Sequence, residues 1–405
     1  MLYHCSQFNW PAAGDRPMSL LNCTVDGIKF ANPFVIGSGP PGTNAKVISK
    51  AFDEGWGGVI AKTISLDASK VVNVAPRYAR MRASGSKEVL GWENIELISD
   101  RPFETWIEEF KQIKAKYPEG VLIASVMEEY NKDAWVEIIE RTQEAGVDAF
   151  ELNFSCPHGL PERKMGAAMG QNTEILAEVC GWVNDAASIP VWAKMTPNVT
   201  HIVDPARAAL HAGCEGVAAI NTILSVMGVD LETLRPEPSV EGYSVPGGYS
   251  CKAVRPIALR MVMELATMMF GGSSGNRIGD STPGEFPDRS LSAIGGVETG
   301  EDAAQFILLG GSTVQVCTGV MIHGYKLAGE LCKGLETFMR KHNFNSIDDF
   351  RGHSLQYFTT HAELVRRQHE VKAREKAERA GIVTKDAAWE GDSFVEQSNK
   401  LVSND

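Results

Sequence analysis

The feature that most constrains this chain is an alternation, repeated eight times, of a short apolar run with a longer helix-like segment. The runs are Pro33–Ser38, the Gly-Val-Ile-Ala-Lys stretch ending at Lys62, Val121–Val126, Val147–Phe150, Pro190–Lys194, Gly216–Ile220, Leu291–Gly295 and Ser312–Cys317. Between and after them lie Ala45–Glu54, Phe103–Lys116, Lys132–Ala145, Thr173–Ala186, Asp204–Ala212, Ala253–Met269, Asp302–Leu309 and Tyr325–Lys341, which read as helices. Short strands alternating with helices build a parallel sheet covered on both faces. Eight such units in roughly 300 residues predict an α/β fold of the (β/α)8 TIM barrel type. A doubly wound open sheet is the alternative and fits the count less well. In front of the rhythm, Leu20–Val25 and Ile28–Phe30 flank Asp26-Gly27, a β-hairpin turn signal, placed to plug the N-terminal mouth of the barrel. The expected organisation is an irregular arm over 1–18, the barrel over 19–342 and a charged helical extension over 343–405, whose His361–Ala380 segment is a solvated helix. Two long connections, Ile223–Gly248 and Gly271–Arg289, interrupt the rhythm; the second reads as a flexible insert on the bottom face.

Several function classes are excluded by simple observations. The net charge of −12, with basic residues scattered, argues against a nucleic-acid surface. No apolar run approaches the length of a membrane span. The eight cysteines include no CxxC pair, so neither an iron–sulfur cluster nor a structural zinc site is expected, and no metal ligands are assigned. The first residues show no signal or transit pattern, so a cytoplasmic location is expected, with a plastid the alternative for a processed precursor.

In a TIM barrel the active site lies at the C-terminal ends of the strands. Those ends carry Ser38, Lys62 and Thr63, Asn131 after strand three, Asn153, Ser155 and Cys156, Lys194, Asn221 and Thr222, Gly295 and Gly296, and Cys317 and Thr318. Cys156 stands before Pro157, which stops the strand and presents the thiol at a tip. A buried structural cysteine is the plain alternative. The Gly159–Gly170 segment beyond it reads as a mobile loop. Asn153 and Ser155 should point the same way by strand alternation. Lys62 and Lys194 sit in apolar strand ends, where a lysine must meet an anion or lose its proton. This admits a Schiff-base lysine or a cation beside an anionic cofactor. The glycine-containing loops after strands seven and eight lie where this fold cradles phosphate, although Gly295-Gly296 alone reads equally as a tight turn. A phosphate site facing two buried lysines suggests FMN. Asn131, Asn153 and Asn221 then match the donor–acceptor edge of a pyrimidine, each being more ordinary as a turn residue when taken alone.

The stretches Glu151–Gly159, Ala193–Thr200, Ala219–Thr222, Ala61–Leu66, Tyr130–Lys132 and Asn94–Ser99 resemble the FMN barrel of the dihydropyrimidine dehydrogenases, within the wider group of dihydroorotate dehydrogenases. The resemblance covers about residues 19–341, and the charged tail resembles the stand-alone plant-type members. It implies reduction of the 5,6 double bond of uracil and thymine, the first step of pyrimidine breakdown, with dihydroorotate oxidation as the alternative. Relatives acting on orotate typically read Ser-Cys-Pro-Asn where this chain has His158. It further implies Cys156 as general acid; Asn131, Asn153, Ser155, Asn221 and Thr222 around the pyrimidine; and Ser38, Lys62, Thr63, Lys194, Gly295, Gly296, Cys317 and Thr318 around FMN, with Lys194 near the N1–C2 edge. The usual Gly-Gly-x-Ser-Gly stretch here ends in Cys251. The iron–sulfur and FAD modules of the long animal-type enzymes are absent, so NADPH is expected as direct or indirect donor, the latter through a separate electron-donor protein. A homo-oligomer is expected. An aldolase working through Lys194 and a non-enzymatic scaffold are the readings from other classes.

Overall fold

The computed structural model describes residues 20–156, 165–273 and 281–381. The expected arm over 1–18, residues 159–164 of the expected loop, residues 274–280 of the insert and the chain beyond 381 lie outside the described residues. One compact unit comprises the residues up to Gly272 together with Ser281–Tyr357; a second comprises 273–280 and the chain from Phe358 onward.

The first unit is a closed eight-stranded parallel barrel. Its strands are β1 (Phe34–Ile36), β2 (Gly58–Ile60), β3 (Val121–Val126), β4 (Ala149–Asn153), β5 (Val191–Lys194), β6 (Gly216–Ala219), β7 (Ser290–Ile294) and β8 (Thr313–Val316). Each pairs in parallel with its sequence neighbours, and β8 closes on β1 through Val314 opposite Phe34. The covering helices are α1 (Ala45–Asp53), α2 (Phe103–Lys116), α3 (Lys132–Gln143), α4 (Thr173–Ala186), α5 (Val203–His211), α6 (Arg255–Phe270), α7 (Gly300–Leu308) and α8 (Leu327–His342). Several begin where short polar side chains satisfy the first free N–H groups: Asn44 caps α1, Asn172 caps α4, and Thr299 with Asp302 forms a reciprocal capping box on α7.

The strands alternate between two environments. Phe34, Val59, Leu122, Phe150 and Ala193 face the helices and join the main core. Val35, Ile60, Ile123, Ala149 and Trp192 form a smaller cluster with Val25 and Phe30 of the N-terminal hairpin. The hairpin (Cys23–Val25 paired with Ile28–Phe30) therefore plugs the N-terminal mouth, as its sequence predicts. Asp26 at its turn fixes it there by accepting from Trp192 Nε1 at 2.6 Å and Ser290 Oγ at 2.5 Å, both at strand starts.

Two differences from the sequence expectation shape the site. The connection after β2 is not featureless: Tyr78–Arg82 and Val89–Asn94 form a hairpin. It joins Gly247–Ser250 and Ile223–Ser225, from the connection after β6, in a four-stranded antiparallel sheet. Residues 343–357, placed in the extension by sequence, also belong to the barrel unit, because Ile347, Phe350 and Leu355 are buried in its main core. In the second unit, His361–Gly381 is a helix on which Glu363 accepts from Arg366 Nε at 2.7 Å and forms an ion pair with Arg367, one turn away.

Candidate active site

The C-terminal ends of the strands and the added sheet enclose a cavity of about 870 Å³, partly open to solvent. Its floor is polar. Strand alternation puts Glu151 and Asn153 on one side of β4 and Lys194 on the facing side of β5, with Asn153 directly opposite Lys194. Lys194 Nζ donates to Glu151 Oε1 at 3.1 Å and to Gln315 Oε1 at 2.8 Å. Gln315 Nε2 donates in turn to Glu151 Oε2 at 2.7 Å and Ser292 Oγ at 2.9 Å. Lys194 and Glu151 are 4% and 1% exposed, so their charges persist only by mutual compensation.

Lys62 has the same solution. Its Nζ lies 2.9 Å from Glu96 Oε1, and Glu96 also accepts from Arg77 at 2.9 Å and the Tyr78 hydroxyl at 2.8 Å. This cluster ties the segment after the hairpin to β2, and holds Asn94, Glu96 and Ile98 in the cavity wall.

Thr63 is the hub of a third network. Its Oγ1 lies 3.2 Å from Ser38 Oγ and 2.8 Å from Ser125 Oγ, and accepts from Asn153 Nδ2 at 2.9 Å. Asn153 Oδ1 accepts from Ser155 N, Ser155 Oγ and Cys156 N at 3.0–3.1 Å. Asn221 Nδ2 donates to Ser155 Oγ at 2.7 Å, and Asn221 Oδ1 accepts from Thr222 N at 2.7 Å. The β4 strand ends at Asn153, so Asn153 and Ser155 are held together by this turn rather than by strand alternation. Ser155 is fully buried beneath the cavity and orients both asparagines. Cys156 lines the cavity beside Ile98, Met127 and Met165.

A second cavity of about 420 Å³ shares Asn221, Thr222, Ser250, Cys317 and Thr318 with the first. Gly295, Gly296 and Gly319 line it, next to the short helix Thr318–His323 after β8. Gly296 has φ +71°, and a Cβ there would come within 2.5 Å of the Cys251 carbonyl oxygen. Cys251, the departure noted in the sequence, also lines this cavity with φ 80°. Burial pushes the Cys317 thiol up to about 11, against the pull of Lys194 and Lys62.

The structure thus brings together Ser38, Lys62, Thr63, Asn153, Cys156, Lys194, Asn221, Thr222, Cys317 and Thr318 in one cavity, with Gly295 and Gly296 in its neighbour. Asn131 stands apart from these. It is exposed, caps α3 by accepting from the Asp133 and Ala134 backbone N–H groups, and does not line the cavity. The turn chemistry of asparagine explains its position after β3. Asn131→Ala is expected to cost about 1 kcal/mol of stability and to leave substrate KM unchanged. A raised KM without loss of stability would return Asn131 to the site. Sequence reasoning missed roles for Asn94, Glu96, Glu151 and Gln315. Glu151 was detectable, because it precedes Asn153 by two residues on a strand.

A closed parallel barrel with a polar, internally compensated cavity at its C-terminal mouth defines the class: a TIM-barrel enzyme with an adjoining glycine-lined cavity. The chain belongs to the dihydroorotate dehydrogenase family, whose model it matches over residues 20–275 and 286–339. That family is flavin-dependent. The chain is 62% identical over 388 residues to the chloroplastic dihydropyrimidine dehydrogenase (NADP(+)) of Arabidopsis thaliana, covering 95% of this chain and 88% of that one. It is 38% identical over 332 residues to the NAD-dependent dihydropyrimidine dehydrogenase subunit PreA of Escherichia coli K12, covering 82% and 76%. It is 32% identical over 342 residues to the catalytic subunit of dihydroorotate dehydrogenase B (NAD(+)) of Pyrococcus abyssi, covering 83% and 100%. No described helix is long and apolar enough to cross a membrane.

Proposed function

We propose that this chain reduces the 5,6 double bond of uracil and thymine, using FMN and drawing on NADPH. The observation that carries the choice of substrate is the charge balance of the cavity. The two described lining cations, Lys62 and Lys194, are each committed to a carboxylate, Glu96 and Glu151. A neutral pyrimidine meets no unpaired charge there. Orotate adds a carboxylate for which no uncommitted described lysine or arginine lines the cavity. The likeness to the plant dihydropyrimidine dehydrogenase points the same way.

Two features support FMN. The larger cavity has a lysine at its floor with two of three N–H donors used, and the smaller is a glycine-lined cradle at the phosphate position of this fold. FMN, when bound, would supply the hydride that adds to C6 of the pyrimidine. Lys194, Lys62, Ser38, Thr63, Cys317 and Thr318 would hold its ring and side chain, and Gly295 and Gly296 its phosphate. The Asn153 and Asn221 amides each keep one N–H uncommitted among the described residues. These, with Thr222 and Asn94, hold the pyrimidine carbonyls and ring N–H groups. Ser155 fixes the two amides from below. Cys156 passes its Sγ proton to C5, and solvent restores the thiol. No iron–sulfur cluster enters this scheme.

Gly296→Val is expected to leave the barrel folded and to lose most bound flavin, since the new side chain meets the Cys251 carbonyl and a β-branched residue resists φ +71°. Full flavin retention would remove this loop from the phosphate site. The function itself is tested by following NADPH oxidation. Uracil and thymine are expected to drive it and orotate to leave it at background; turnover with orotate alone would overturn the reading.

A further inference from the structure

The outer hairpin of the added sheet carries a cationic stripe that the scheme above does not use. From Arg77 to Lys87 the chain has four cations and no acid, within a protein of net charge −12. Arg77 is paired with Glu96. Arg80, Arg82 and Lys87 are exposed and have no carboxylate partner among the described residues; the nearest acid in sequence, Glu88, is paired with Lys252 at 2.9 Å. The stripe is continuous with the cavity wall. Tyr78 stands opposite Asn94 and Arg80 opposite Trp92, and Tyr78, Trp92 and Asn94 all line the cavity. Alternation places Tyr78 and Arg80 on one face of their strand, and a register shift follows between Met81 and Arg82. The Arg80 guanidinium lies 4.3 Å from the Trp92 ring centroid, a stacked cation with its N–H edge uncommitted among the described residues. Trp92 is itself buried, and its indole N–H has no hydrogen-bond partner among the described residues.

We infer that this face binds the phosphate-bearing end of a nicotinamide dinucleotide, with the adenosine 2′-phosphate on Arg80, Arg82 and Lys87. Strands rise about 3.4 Å per residue, so Arg82 lies roughly 14 Å beyond Tyr78 at the cavity wall. A ligand reaching from the cavity to these cations must be that long, which suits a dinucleotide and exceeds a pyrimidine. Planar guanidinium groups beside an aromatic ring match phosphate and adenine together. The inference rests on the reading of the chain as an NADPH-drawing pyrimidine reductase and names where that donor docks.

The test is calorimetric titration of the flavin-loaded protein with 2′,5′-ADP, which carries the adenosine and 2′-phosphate but no nicotinamide, against 5′-AMP. The wild type is expected to bind 2′,5′-ADP more tightly than 5′-AMP and to weaken with added salt. Arg80→Gln/Arg82→Gln should lose affinity for 2′,5′-ADP by about tenfold or more. Its flavin should still bleach on anaerobic addition of dihydrouracil. Arg82→Gln/Lys87→Gln, which leaves the Trp92 stack intact, should show a loss in the same direction. Equal affinity in wild type and both variants, or no binding of 2′,5′-ADP by the wild type while dihydrouracil still bleaches its flavin, overturns the assignment. Binding only of an acidic electron-carrier protein, lost in the variants, also overturns it. Failure of dihydrouracil to bleach the wild type strikes instead at the proposed function.

Discussion

Replacing Cys156 by alanine is expected to slow pyrimidine reduction by about 10²–10⁴-fold, the usual contribution of a positioned general acid, while flavin stays bound. Both halves of that expectation follow from position. Cys156 stands at the end of the β4 motif, its backbone N–H held at 3.0 Å by Asn153 Oδ1, so the turn survives loss of the thiol. The side chain packs with Ile98, Met127 and Met165 at the cavity wall, away from the glycine-lined cradle. Cys156→Ser should recover part of the rate, because a hydroxyl is a weaker acid than a thiol but keeps a proton in place. Wild-type turnover in the alanine variant would remove Cys156 from the chemistry; loss of flavin would make it a packing residue.

The second large effect is expected at Lys194. Lys194→Met strands Glu151 in a site 1% exposed, and breaking a buried pair from one side costs about 3–5 kcal/mol. The variant should unfold at clearly lower denaturant and purify with little flavin. Lys194→Met/Glu151→Gln removes both charges and should regain most of the stability, because Gln315 can still bond an amide at that position. Flavin content should stay low in the double variant. That separation of stability from flavin retention distinguishes a cofactor-facing cation from one that serves the fold alone. Equal stability of all three proteins would mean that the buried pair is dispensable.

Much of the architecture is legible in sequence because each barrel unit is local. A strand covered on both faces is a short apolar run, and an asparagine or threonine marks the start of several of the helices that follow. Phe103–Lys116 and Thr173–Ala186 are found at the predicted residues, and Val121–Val126 is a strand as expected. The Asp26-Gly27 turn fixes its hairpin for the same reason. Pairings distant in sequence are not visible this way. The cavity roof joins residues 78–94 to residues 223–250, and no periodicity shows that Tyr249 will pair with both Glu93 and Ile223. That is why Asn94 and Glu96 were noticed as part of a motif but given no role. Asn131 shows the ambiguity of a single residue. An asparagine after a strand suits both substrate reading and helix capping, and in α3 its side chain makes the cap. For Lys62 and Lys194 the sequence showed that each must meet an anion or lose its proton. The partners Glu96 and Glu151 needed the fold.

Which dihydropyrimidine reduces the flavin decides between pyrimidine breakdown and pyrimidine synthesis. The direct measurement is anaerobic: record the flavin spectrum of the purified protein, then add dihydrouracil to one cuvette and dihydroorotate to another. Bleaching by dihydrouracil alone is the predicted result, since the cavity offers a neutral ring hydrogen bonds and offers a carboxylate no uncommitted described cation. Bleaching by dihydroorotate alone would contradict it and move the chain to pyrimidine synthesis.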